Sequence, residues 1–442
     1  MGPLGTTGPT ILSLTEDIRV AALQDTSSSQ SPATHAHLLS LIDKLRLAVE
    51  TPTETARRLI YQPPQNAAIR VLIDLGIFEI LLERGYGNGG DGVSVEQLAQ
   101  HTGAEKSLIT RLMRVATALG LAACHRPGVY APTNKTEIMT RPLGKDGARC
   151  LYDMTMPALS SLPAYFCENK YEMPSEYNAS PMRFATGQSQ FEWLGDRPEQ
   201  QERFNRYMVS RRQGGRMWFE DFPFEEAFLA SFSSSMATGS GDRIDGNLKG
   251  DGVFIVDIGG NEGHDLLALR EQYPHLPGKL ILQDLPAVVD GKDKDLNEKG
   301  IEVMAYNFFK TQPVKGAKIY YLRSILHDWP DSICVQILSN IIPAMSPDSR
   351  ILIVDFVLPD TDTPLFQASL DIQMMCIGAG VERSRNEWKE LLESVGLEIK
   401  GIWGGKLGIG MESVIEVGLA SSSGSALGSR KGEGAENPEG DV

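Results

Sequence analysis

The stretch Val253–Leu269, VFIVDIGGNEGHDLLAL, decides the fold. An apolar run through Asp257 and Ile258 reads as a buried strand. Gly259, Gly260 and Gly263 then make a turn, and a helix begins after it. Further runs with the texture of buried strands follow in KLILQDL, IEVMAYN, AKIYYLR and RILIVDFVL, with helical segments between most of them. Strand–helix alternation implies a parallel sheet covered on both faces, a doubly wound α/β fold. LEIKGIWG and MESVIEVGL would complete an edge. Upstream, Leu38 to Asp242 reads as mostly helical. AAIRVLIDLGIFEILLERG has apolar residues at helical spacing and ends on Gly85. Ser94 caps a short helix, EKSLITRLMRVATALG makes a second, and LAACHRPGVYAPT a hairpin, which together form a winged-helix pattern.

With 442 residues, two domains are expected. The net charge of -15 repels phosphate backbones and anionic lipid, so neither nucleic acid nor a membrane surface is an expected partner. Five scattered cysteines without a CxxC pair argue for a reducing, cytoplasmic location and against a disulfide framework or a zinc site. QDTSSSQSPATHAH (Gln24 to His37) reads as a polar linker, and the tail from Ala420 is rich in Gly, Ser and Glu.

In doubly wound folds the ligand sits beyond the carboxyl ends of the strands, and the first turn meets it. Asp284 closes the second strand, about 20 residues after the glycine turn, where an acid grips a ribose hydroxyl pair. Glu262 and Asp265 on the turn disfavour a pyrophosphate. A sulfonium cofactor tolerates them, and Asp257 would then orient the loop or meet the cofactor's amino-acid end. His327-Asp328-Trp329 follows the fourth strand, and Pro330 suits the first turn of the next helix. Asp355 ends the fifth strand on the same rim, and Glu382 lies in the loop GAGVERSRNEW. A histidine flanked by carboxylates at a cofactor cleft is a general-base arrangement, in which one acid fixes the tautomer and favours the cation. The plain alternative for both acids is capping, or pairing with Arg383 or Arg385. No metal-ligand spacing occurs.

The order and spacing of the glycine loop, LQDLPAVV, YNFFK, YYLRSILHDWPD, ILIVDFVLP, the element around Glu382 and SVIEV carry a resemblance. The chain resembles the plant-type and fungal small-molecule O-methyltransferases that use S-adenosylmethionine, over roughly Ala67 to Leu419. The resemblance implies that Gly259, Gly260 and Asn261 cradle the methionine part of the cofactor and that Asp284 binds the ribose. It places Asn307 and Phe308 beside the adenine and Arg323 where the family usually has a lysine, and makes His327 the general base held by Asp355 and Glu382. Asn261 takes the place of a third glycine, and asparagine is the best substitute where φ is positive. Asn307 stands where the family commonly has aspartate, which keeps a hydrogen-bonding group and drops a charge.

The expected division is a flexible segment 1–37, a winged-helix dimerisation domain 38–180, a helical connection 181–242 lining the substrate pocket, a Rossmann-like catalytic domain 243–419 and a disordered tail 420–442. The family's dimerisation element implies a homodimer. Met208, Trp218, Met374 and Met375 are candidate lining for a small phenolic acceptor, with core packing as the alternative for each. Two other classes stay open. Asn261 and Asn307 admit a scaffold reused for pericyclic or dehydrative cyclisation. Lys106, Arg111 and Arg114 on the second helix admit a DNA-binding regulator, against which the acidity of the chain counts.

Overall fold

The computed structural model describes residues 10–26, 31–85, 92–212, 217–229, 252–404 and 412–420. The described part of the expected flexible N-terminal segment is helical. Helix α1 (Ile11–Asp25) starts at Thr10, whose hydroxyl accepts from the Ser13 amide, and α2 (Pro32–Val49) starts at a capping box between Ser31 and Thr34. The two pack against each other through Leu14, Ala21 and Leu41. The polar text of the supposed linker hides a serine cap followed by proline in the first helical turn, a strong start signal. Leu12, Leu23 and Leu47 stay exposed on this hairpin.

Strand β1 (Val93–Ser94) leads into α3 (Val95–Thr102), capped by Ser94 and ended by Gly103 at φ 71°. Helix α4 (Lys106–Ala118) follows, then the hairpin β2 (Ala122–Arg126) and β3 (Val129–Pro132). The three strands pair in the order β1-β3-β2. Leu72, Phe78, Leu98, Met113 and Tyr130 fill the core beneath them. Helix α5 (Pro198–Arg212) then runs toward the second half of the chain and packs on the helix Pro142–Cys150.

There, seven strands form one sheet. They are β4 (Val253–Ile258), β5 (Lys279–Asp284), β6 (Ile301–Ala305), β7 (Ile319–Arg323), β8 (Arg350–Asp355), β9 (Leu397–Gly404) and β10 (Ser413–Leu419). Their order is β6-β5-β4-β7-β8-β10-β9, parallel from β6 to β8 and antiparallel at the β10–β9 edge. Helix α6 (His264–Gln272) follows β4, α7 (Asp331–Ile341) follows β7, and α8 (Leu365–Gly378) and α9 (Arg385–Ser394) follow β8. One sheet face, with Val256, Tyr320 and Ile353, packs on Ile337 and Leu338 of α7 and Trp388 of α9. The other, with Phe254, Tyr321 and Leu352, packs on Leu266 and Leu269 of α6. Burial on both faces explains why the inner strands β4, β5, β7 and β8 are continuous apolar runs, while β6 and the edge strand β9 are only partly buried. Residues 421–442 of the expected tail lie outside the described residues.

Candidate active site

The turn after β4 needs its small residues for two reasons. Gly259, Asn261 and Gly263 all have positive φ (74°, 54° and 73°), a region that glycine enters freely and asparagine tolerates best among the rest. Gly260 is instead fixed by space: a Cβ there would stand 2.4 Å from Asp257 Oδ2 and from Leu282 Cδ1. The loop is stitched to the end of β5. Gly259 N–H donates to Gln283 O at 2.7 Å, and Asn261 N–H donates to Asp284 Oδ2 at 2.8 Å. The other Asp284 oxygen accepts from Leu285 N–H at 2.7 Å. Burial pushes the Asp284 carboxyl up, partly opposed by those two amides. Asp257 sits under the loop, buried at the end of β4.

After β6, Asn307 Oδ1 accepts from Phe309 N–H at 2.9 Å and folds the chain into a tight turn. Phe308 and Phe309 meet Trp329 at ring-centroid distances of 6.2 and 5.3 Å. A buried, reciprocal pair of amides, Gln283 with Gln312 (3.0 and 2.9 Å), ties this loop to β5. Arg323 Nη1 donates to Asp265 at 2.7 Å, and its Nε and Nη2 donate to Glu412. Its charge is thus balanced by two carboxylates of the fold. The acids of the turn are matched as well, Asp265 by Arg323 and Glu262 by Lys292 at 3.2 Å. Their charge therefore weighs less against a pyrophosphate than their presence in the sequence suggests.

His327 lies in a short 3-10 turn, Leu326–Asp328, at the carboxyl edge of β7. Pro330 stands one place before α7, as its N-cap. The imidazole is 6% exposed; its Nδ1 is 2.7 Å from Glu382 Oε1 and its Nε2 is 3.6 Å from Asp328 Oδ1. Asp355 is buried, and both its oxygens lack a hydrogen-bond partner, as does Glu382 Oε2. The two acids singled out in the sequence thus differ. Glu382 grips the ring, whereas Asp355 acts on it through charge alone. Burial works to lower the His327 pKa, but Asp328, Asp355 and Glu382 outweigh it and raise it to about 10. Burial pushes the Asp355 carboxyl well above its ordinary range. Arg383 does not pair with either acid; it holds Asp331 at 2.8 Å. Sequence reasoning missed Asp328 as a third carboxylate, although it stands beside His327 in the quoted segment.

The four acceptor-lining candidates do not come together. Trp218 belongs to an aromatic cluster with Phe219, Phe222 and Phe224 and packs on Tyr321 (5.0 Å), on the α6 side of the sheet. It is packed in that core, the alternative weighed for it in the sequence. Met374 packs with Met154, Met182 and Phe356. Met375, next along α8, instead lines a cavity of about 520 Å³ with Asp371, Gly380 and Glu382. Met208 is half-buried on α5. Among the described residues, no group of three or more His, Cys, Asp or Glu is placed to hold a metal ion, and no helix is long and apolar enough to cross a membrane.

Comparison with known proteins gives two family matches, an O-methyltransferase domain over residues 247–398 and an O-methyltransferase dimerisation domain over residues 65–141. The demethylsterigmatocystin 6-O-methyltransferase of Aspergillus flavus is 35% identical over 81% of this chain and 86% of its own. Two solved structures, one described as a pericyclic reaction enzyme and one of LepI in complex with S-adenosylmethionine, are each 30% identical. Both have a TM-score of 0.77 and cover 92% of this chain and 99% of theirs.

Proposed function

The chain belongs to the S-adenosylmethionine-dependent O-methyltransferases, and on that premise we propose that it methylates a phenolic hydroxyl of a small secondary metabolite with His327 as general base. The observation that carries this reading is the His327–Glu382 pair, buried at the carboxyl edge of the sheet on which the Gly259–Gly263 turn also lies. In this reading residues 38–180 dimerise, 181–242 connect and line the acceptor pocket, and 243–419 bind the cofactor. The match of residues 65–141 to a dimerisation domain supports a homodimer, and five free cysteines support a cytoplasmic location.

The residues present fit the cofactor. The turn at Gly259, Gly260 and Asn261 is shaped by positive φ at Gly259 and Asn261 and by close packing of its glycines on Asp257, Leu282 and Ile325. Asp284, its carboxylate fixed by two amides, would meet the ribose in this reading. Asn307 and Phe308 would flank the adenine, while Asp257 and Arg323 would support the loop and its far end. When bound, the cofactor supplies an electrophilic methyl carbon on a sulfonium. Glu382 accepts from Nδ1 and so leaves Nε2 as the atom that takes the acceptor's proton. A phenol has a pKa of about 10. His327 is raised from its ordinary value toward that of a phenol, because the surrounding carboxylates favour its cation, and this makes it a stronger base for the acceptor's proton. The same shift favours a protonated ring at neutral pH in the empty protein, so the rate should climb with pH through the alkaline range. Holding both reactants in line in a dry site supplies much of the remainder.

Reuse of the scaffold for a cyclisation that leaves the cofactor idle is not favoured, because such a reaction does not require a carboxylate-paired base beside an intact loop. Calorimetric titration with S-adenosylmethionine and S-adenosylhomocysteine tests the reading. Both should bind in the micromolar range, and Asp284→Ala should weaken both. Absence of binding to the wild-type protein would rule it out.

A further inference from the structure

We propose that Arg383 is a positioning residue that holds the His327 turn and Glu382 in register. The inference rests on the general-base reading above. Arg383 follows Glu382 directly, and its guanidinium is almost fully buried, 5.2 Å over the Trp388 ring. Its Nη1 donates to Leu326 O at 3.1 Å and its Nη2 to Trp329 O at 2.8 Å. These carbonyls lie just before and two residues after His327. Nε and Nη2 donate to Asp331 at 2.9 and 2.8 Å, at the start of α7. Cys334 Sγ donates to Leu326 O at 3.2 Å from the same side.

One fork therefore fixes the turn that carries the base, from a residue adjacent to the acid that orients it. The backbone completes the clamp. Val381 N–H donates to His327 O at 2.9 Å, and a Cβ on Gly380 would come within 2.4 Å of that same oxygen. Glu382 N–H donates to Asp371 Oδ1 at 2.9 Å. A lysine keeps the charge but cannot serve several carbonyls and a carboxylate in one plane. Arg383→Lys should thus free the His327 turn relative to Glu382.

The chain has seven histidines, so ring-labelled histidine gives a readable NMR titration. His327 is faced by Asp328 on its own turn, Asp355 of β8 and Glu382. In wild type it should stay protonated to about pH 10. In Arg383→Lys its midpoint should fall by about one pH unit, with kcat down by about 10²-fold, the cost of a misplacement on the order of 1 Å. Affinity for S-adenosylhomocysteine should stay within about threefold, less than a single lost hydrogen bond would cost. An unchanged midpoint would overturn the proposal, because a merely structural arginine would lower thermal stability and leave the titration alone. Should that variant fail to fold, Asp331→Asn takes its place. It reduces the exposed anchor of the guanidinium from a charged to a neutral acceptor and should move the midpoint in the same direction with about a threefold loss of kcat; no movement would again overturn the proposal. Activity that survives His327→Ala would instead remove the base reading, while the titration still judges Arg383.

Discussion

Glu382→Gln keeps an oxygen within reach of His327 Nδ1 and removes one buried charge. Two bounds follow from the 2.7 Å contact. A hydrogen bond to a charged partner is worth roughly 1 kcal/mol more than a neutral one. Unit charges about 4 Å apart at an effective dielectric of about 20 interact by about 4 kcal/mol. At about 1.4 kcal/mol per pH unit, the His327 midpoint should fall by about one to three units from about 10. Asp328 and Asp355 remain, so the ring does not return fully to ordinary behaviour. The folded ring binds its proton more tightly than the unfolded one. Its contribution to stability is therefore complete below about pH 6.5 and lost as pH rises through about 10. The variant should be less stable than wild type near neutrality, and the gap should close toward pH ~10 as both rings lose their proton. Thermal unfolding from pH ~6 to ~10 at low salt, beside the NMR titration, reads both effects. A stability curve parallel to wild type, with His327 titrating at the same pH, would refute the claim that Glu382 holds the proton on the ring.

Asn261→Ala should lose about 1 kcal/mol in urea unfolding and bind S-adenosylmethionine more weakly, because alanine resists the positive φ that Asn261→Gly would accept at no cost. Gly260→Ala should weaken cofactor binding by at least about tenfold in calorimetry, since its Cβ must displace Asp257 or Leu282. Arg323→Met strips the cation shared by Asp265 and Glu412 and should cost about 3–5 kcal/mol near neutral pH. The thermal midpoint should recover in part with Arg323→Lys.

The central strands were legible because they are buried on both faces, and the apolar runs around Val256, Leu282 and Ile353 leave no other reading. The positions of Asp284 and His327 at strand ends followed from that placement. Helix α1 was not legible, because its apolar face is narrow and its partner α2 begins inside text that reads as linker. Trp218 and Met374 show a second limit: an apolar side chain in a helical region does not say which layer it fills, and Trp218 went to the sheet. Arg383 shows a third. Its proximity to Glu382 in sequence suggested an ion pair, yet its length carries the guanidinium past that acid to Asp331 and the carbonyls around His327.

The most direct test of methyl transfer with His327 as base uses S-adenosylmethionine labelled in its methyl group, a panel of phenols, and His327→Ala as the control. Labelled methyl ether should form with the wild-type protein at a rate that rises with pH through the alkaline range, and the variant should lose at least about 10²-fold while still binding the cofactor. Tight cofactor binding with no labelled ether from any phenol, or equal transfer by His327→Ala, would contradict it.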